Sequence, residues 1–186
     1  DQGNILAVGA RLNDNFANNS GQVRIFEYIG SSWVQIGSSI YGENASDTFG
    51  QVVELSDDGT TVAISAPGNS SNESAGGQIR IYHYNGTDWV QLGQSIYGSS
   101  YEYLGSSLAI SGNGNILAVG SESAYEGGGY ANIYSFDGSQ WILLGQPFFY
   151  EEEYESYGHA ITLNQTGDTV AISAINAENG NLTSAG

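Results

Sequence analysis

The sequence predicts an all-β chain built from a recurring four-stranded unit. Three observations carry this: a self-similar register of 53 to 56 residues, short runs of period-two alternation bounded by glycine turns, and no stretch of helical periodicity. The register has three anchors. A turn followed by a small-residue run begins at Gly3, Gly59, Gly114 and Gly167, spaced 56, 55 and 53 residues apart. Trp33, Trp89 and Trp141 recur at spacings of 56 and 52. Phe49-Gly50, Leu104-Gly105 and Tyr157-Gly158 recur at 55 and 53.

Within one repeat the runs come in order. Run a, Gln51 to Ser56, ends in Asp57-Asp58-Gly59, a tight turn in which glycine supplies positive φ. Run b, Thr61 to Ala66, carries small residues suited to a place where backbones converge. A longer loop, Gly68 to Gly77, leads to run c, Gln78 to Tyr84, whose strict alternation gives a strand with two different faces. Asn85-Gly86 is a short hairpin turn, with Asp137-Gly138 and Ile29-Gly30 as its counterparts. Run d begins at Trp89 and continues towards Ile96-Tyr97; its bulky indole suits packing between neighbouring units. Tyr41, Tyr97 and Phe149 each follow the tryptophan by eight residues, a repetition expected of core packing.

Four antiparallel strands at a period above 50 residues read as β-propeller-type blades, about three and a half of them. The alternatives are an unclosed stack of four-stranded sheets and a β-solenoid, whose coils are usually shorter. The expected division is a partial blade over 1–48 (runs b, c and d), blades over 49–103 and 104–156, and a partial blade over 157–186 (runs a and b). Residues 1–21 are repeat equivalents of 165–186. Closed propellers use about 4–8 blades, so the segment reads as a piece of a larger propeller or as one whose strand edges another chain covers. The opening Asp1-Gln2-Gly3-Asn4, in mid-pattern, fits a processed or excised piece of something longer, without a signal peptide.

Composition removes several function classes. Twenty acidic residues against three arginines and no lysine give a net charge of −17, which repels nucleic acid and anionic lipid. The absence of cysteine removes disulfides, thiolate catalysis and cysteine-ligated metal. No uninterrupted apolar run approaches the ~20 residues of a membrane-spanning helix. Such acidity fits an extracellular protein, where a charged surface stays hydrated.

The run Phe49-Gly50, Leu55-Ser56-Asp57-Asp58-Gly59, Val62-Ala63-Ile64-Ser65-Ala66-Pro67 resembles an FG-GAP repeat, the repeat of integrin alpha-subunit propellers and of many secreted or surface proteins of microbes. The resemblance covers essentially the whole chain. Leu104-Gly105 and Tyr157-Gly158 stand where the pattern has Phe-Gly. Gly9-Ala10-Arg11, Gly120-Ser121-Glu122 and Ser173-Ala174-Ile175 stand where it has Gly-Ala-Pro. Asp88-Trp89-Val90-Gln91-Leu92-Gly93 is similar to a bacterial and algal surface-protein variant. The resemblance implies a propeller of about seven blades and a role in adhesion or extracellular assembly. The family's calcium loop is not carried over, because the turn Ser56 to Thr61 is too short to supply the 6–8 oxygens calcium takes, about twice what two aspartates offer.

Candidate chemistry is sparse. His83 on run c and His159 at the start of a run a read as strand polar residues, with Glu27 and Ser135, and Gln51 and Ser106, as their respective counterparts. Glu151, Glu152, Glu153 and Glu155 crowd one loop and read as a solvated acidic segment, since a glycosidase needs two carboxylates across a groove. The loops at Asn13–Ser20 and Asn69–Ser74 read as ordinary turn chemistry. No catalytic residue, metal site or cofactor is expected. Asn-X-Ser/Thr occurs at Asn18, Asn44, Asn69, Asn72, Asn85, Asn164 and Asn181, seven sites where composition alone gives about three.

The function expected from these features is a non-enzymatic extracellular or cell-surface propeller segment for adhesion or assembly. Its partners would be further blades or other protein chains, with no nucleic acid and no membrane insertion. A carbohydrate-binding module is the alternative, taking cell-surface glycans on Tyr101, Tyr103, Tyr125, Tyr130 and Tyr154. An enzyme whose active groups lie in other blades is a third possibility.

Overall fold

In a computed structural model, residues 3–122, 128–149 and 156–175 are described. They form antiparallel sheets and no helix. The first sheet contains β1 (Ile5–Ala10), β2 (Gln22–Ile29), β3 (Ser32–Gln35) and β4 (Ile40–Tyr41). The second contains β5 (Val53–Leu55), β6 (Thr61–Ala66), β7 (Gln78–Tyr84), β8 (Trp89–Gln91) and β9 (Ile96–Tyr97). The third repeats it with β10 (Ser107–Ile110), β11 (Ile116–Ser121), β12 (Tyr130–Phe136), β13 (Trp141–Leu143) and β14 (Phe148–Phe149). A two-stranded sheet, β15 (Tyr157–Leu163) and β16 (Val170–Ala174), follows.

Runs b and c become β6 and β7 with the limits the alternation predicts. Run d differs: it breaks into two short strands that both pair with run c. The break falls at Gly37, Gly93 and Gly145, whose φ values of 67°, 75° and 73° turn the chain outward before it returns. The meander order β5-β6-β7-β8 recurs as β10-β11-β12-β13.

Successive sheets lean on one another, and the apolar core lies between them rather than within any one. Val23, Ile25, Ile40 and Phe49 meet Val62, Ile64, Tyr82 and Trp89 across the first gap. Ala63, Ile79, Ile81 and Ile96 meet Leu117, Val119, Tyr130 and Trp141 across the second. The first strands crowd together at the inner end. There Asp57 N–H donates to Gly112 O at 3.0 Å and Gly112 N–H to Gln165 O at 2.8 Å, chaining the turns of three sheets. Backbones approach so closely that a Cβ on Gly9 would lie 2.2 Å from Gly50 O, which is why small residues fill this end.

The tryptophans hold the outer end. Trp89 Nε1 donates to Ile36 O at 3.1 Å and Trp141 Nε1 to Leu92 O at 2.9 Å, each reaching the preceding sheet. Trp33, in contrast to the expectation for all three indoles, lies open at 45% exposure. Among the described residues no sheet lies against that face.

Candidate functional site

The chemically varied groups gather where strand a begins and strand b ends. In the second and third sheets the residue after the Phe-Gly-like pair comes close to the residue that follows strand b. These positions are filled differently in each blade: Gln51 with Pro67, Ser106 with Glu122, and His159 with Ile175. The scaffold is thus constant while the side chains at its rim change, which is how propellers present function on loops.

A cleft of about 390 Å³ opens here, lined by Thr48, Gln51, Pro67, Gly68, Tyr103, Ser106 and Glu122. Glu122 is fixed from two sides. Its backbone N–H donates to Ser106 Oγ at 3.1 Å, and its carboxylate Oε2 lies 2.6 Å from His159 Nδ1. Ser106 Oγ in turn donates to Gly120 O at 3.3 Å. His159 therefore has an orienting carboxylate, which the sequence reading did not give it. The hydroxyl nearest to it in this network, Ser106, is engaged by the backbone, so the set is not arranged as a nucleophile held by its base.

Above the cleft stands a strained turn that occurs in two successive repeats. Ser46 and Thr48 in one repeat, and Tyr101 and Tyr103 in the next, adopt positive φ (65°, 56°, 61° and 52°). Their amides are tied to the preceding loop: Thr48 N–H to Asn19 O at 3.1 Å and Tyr103 N–H to Ala75 O at 3.0 Å. A carboxylate props each turn from inside. Buried Asp47 accepts the amides of Glu43 and Asn44, and Glu102 accepts the amide of Ser99. The result is that Tyr101 and Tyr103 project outward, Tyr103 at 43% exposure on the cleft wall.

Two of the expected site residues are corrected. Tyr130 is buried at 5% exposure, its hydroxyl donating to Glu102 Oε2 at 2.8 Å, so it props the turn instead of meeting a glycan. Asn69 is buried at 1%, its Oδ1 accepting the Ser71 amide and its Nδ2 enclosed, which leaves no path for a glycan at that atom. Asn18, Asn44, Asn72, Asn85 and Asn164 are exposed. Asn44 Nδ2 donates one bond, to Ser71 Oγ, and Asn164 Nδ2 donates two, to Thr166 and Asp168; a glycan takes one Nδ2 hydrogen, so at Asn164 it would replace one of them. Tyr125, Tyr154, Asn181 and the glutamates at 151–155 lie outside the described residues. His83 is exposed on strand c, its Nδ1 3.5 Å from Thr61 Oγ1, away from the cleft. Among the described residues no three His, Asp or Glu side chains stand together as metal ligands.

The chain superposes on a protein from Bacteroides fragilis assigned as a 6-phosphogluconolactonase, with a TM-score of 0.51 and 15% identity, covering 74% of this chain and 36% of that one. The fold is of the propeller type. TolB from Acinetobacter baumannii matches at a TM-score of 0.44 and 14% identity, over 85% of this chain and 33% of that one. The chain spans about a third of the length of these propeller structures. No family model and no curated protein matches it.

Signals for the cleft were present in the sequence. The positions after Phe-Gly and after Gly-Ala vary while their neighbours repeat, and in a repeat protein such variation marks where side chains are free of scaffold duty.

Proposed function

We propose that the chain is a blade segment of an FG-GAP-like, non-enzymatic propeller that works outside the cell, in adhesion or in building an extracellular structure. The observation that carries this reading is the seam between blades. Repeat-equivalent tryptophans donate to carbonyls of the preceding blade, and polar side chains at the same repeat positions clasp across the join. A chain built this way is a modular assembly surface, and its acidic exterior with exposed sequons suits an extracellular setting. The test is to coat beads with the intact chain and measure agglutination and attachment to cells. Coated beads agglutinate or attach where uncoated beads do not; no difference would overturn the reading. Enzymatic removal of N-glycans from the natural protein lowers its mass if Asn18, Asn44, Asn72, Asn85 or Asn164 carries one.

A second reading is favoured by the cleft. An exposed Tyr103 beside Glu122, Gln51 and Thr48 is the combination of an aromatic plate and oriented hydrogen-bond groups that binds a sugar. On a glycan array, binding that disappears in Tyr103→Ala supports it, and a blank array rejects it.

A further inference from the structure

Among the described residues, asparagine is followed by glycine at Asn85-Gly86 and at Asn113-Gly114. Such a pair carries a latent reaction, because no Cβ keeps the glycine nitrogen from reaching the side-chain carbonyl carbon before it. The two pairs sit in different turns. Asn85-Gly86 closes β7 onto β8, and Asn113-Gly114 closes β10 onto β11.

The turns differ at the attacking nitrogen. The Gly114 amide donates to Ser111 O at 2.9 Å. Gly114 is also buried against the preceding sheet, so closely that a Cβ there would lie 2.9 Å from Thr61 Cβ. Gly86 is exposed, with nothing within 4 Å of where its Cβ would stand, and its amide has no acceptor among the described residues. The carbon it would attack is primed as well. Asn85 Oδ1 accepts the amides of Thr87 and Asp88 at 3.0 Å each, which polarises the carbonyl and stabilises the oxyanion formed on addition. The exposed Asn85 Nδ2 has no partner among the described residues and is free to leave.

We infer that Asn85 is a site of spontaneous modification, converted by water to aspartate and isoaspartate, while Asn113 is spared in the folded chain. The Gly86 nitrogen gives its proton to water and bonds to Asn85 Cγ. The Cγ–Nδ2 bond breaks and ammonia departs, leaving a cyclic imide. Water then opens the ring at either carbonyl. In sum one water enters and one ammonia leaves, with no change of oxidation state. Opening at Cγ gives ordinary aspartate. Opening at the other carbonyl gives isoaspartate, whose main chain runs through Cβ and Cγ and is one carbon longer.

The fold tells the two products apart. The third sheet carries Asp137-Gly138 at this turn, and Asp137 Oδ1 accepts the amides of Ser139 and Gln140 at 2.8 Å each, so aspartate keeps the turn. Isoaspartate lengthens it. The turn leads straight to Asp88, whose carboxylate accepts the Ser38 amide and hydroxyl at 2.7 and 3.1 Å, and to Trp89, whose Nε1 donates to Ile36 O. These bonds close the first join, between the first and second sheets, so isoaspartate loosens that join. At the second join the clasp is Gln94, which donates to the Trp141 carbonyl and accepts the Trp141 amide at 2.9 Å each. The turn there starts from Asp137, whose ionised carboxylate is a poor target for the same attack.

Because Asn85-Gly86-Thr87 is also a sequon, a glycan would burden the leaving nitrogen, so the test uses the intact chain made without N-glycans. It is held at mildly alkaline pH for several weeks, folded or in urea, and its peptides are weighed. In the folded chain the peptide bearing Asn85 gains about 1 Da and separates into two forms, one of which accepts a methyl group from an isoaspartate methyltransferase. Asn113 reacts at least about fivefold more slowly, the worth of the hydrogen bond on its glycine. In urea the two react alike. Equal rates in the folded chain overturn the inference, as does a folded Asn85 that stays intact while the one in urea reacts. Chains enriched in isoaspartate at 85 unfold at lower urea than Asn85→Asp, which unfolds with the native chain. Coinciding curves for the isoaspartate and Asn85→Asp chains overturn the effect on the join.

Discussion

Trp33 and Trp89 occupy the same place in consecutive blades, yet the first is 45% exposed and the second 7%. Each also packs on its own blade's tyrosine in much the same way, with ring centroids 5.3 Å apart for Tyr28 and Trp33 and 5.2 Å for Tyr84 and Trp89. The blade's own sheet is therefore not what buries the indole. The preceding blade does that. Stability in such a chain divides into what each repeat contributes alone and what each join contributes, and the tryptophan belongs to the join.

The largest expected effect follows directly. Trp89→Ala removes a buried indole and its bond to Ile36 O, at a cost of about 3–5 kcal/mol. Trp33→Ala in the dilute, unassociated chain costs less than about 1 kcal/mol. Urea unfolding of the two variants measures the difference, and equal losses would mean that the indole serves its own blade.

This contrast was not legible in the sequence, and the reason is physical. Trp33 and Trp89 sit in nearly identical strings, Ser32-Trp33-Val34-Gln35 and Asp88-Trp89-Val90-Gln91, so no local signal separates them. Strand order was legible because alternation and the turns Asp57-Asp58-Gly59 and Asn85-Gly86 are local devices. Burial depends on which chain lies opposite. Tyr130 shows the same limit: its repeat equivalents are Gln22 and Gln78, and only the long-range bond to Glu102 reveals that it faces inward. The Glu122–His159 contact joins residues 37 positions apart on different blades, beyond any spacing rule.

A second pair sharpens the comparison. Arg80 is buried, lies 4.1 Å over the Phe49 ring, donates to Tyr41 O at 2.6 Å and pairs with Glu43 at 3.4 Å. All three partners lie on the upstream blade or at the start of its own strand a. Arg24, its equivalent, is exposed and lies 5.4 Å over Phe26 of its own sheet. Arg80→Ala costs about 2 kcal/mol, mostly from lost contact with Phe49. Arg24→Ala stays within about 0.5 kcal/mol. The exposed Glu43 adds little, since it returns to water when its partner is gone.

The smallest effect distinguishes one join from the other by pH. The first uses a titratable clasp and the second a neutral one, Asp88 against Gln94. The amide of Ser38, then that of Trp89 and the Ser38 hydroxyl, hold the Asp88 carboxyl below its usual range. A carboxyl lowered in the folded state binds its proton more readily when unfolded. Its contribution is therefore complete above the unfolded value of about 3.9 and is lost as pH falls through the folded value. In Asp88→Asn this contribution is absent at every pH, so the variant is slightly less stable than the native chain at neutral pH, and the gap between them closes in acid. Gln94→Ala lowers stability by the same amount at both ends of the range, because Gln94 carries no proton to exchange. Unfolding curves for the three chains at neutral and acid pH decide the matter: a gap for Asp88→Asn that persists in acid would show that the clasp works through shape alone.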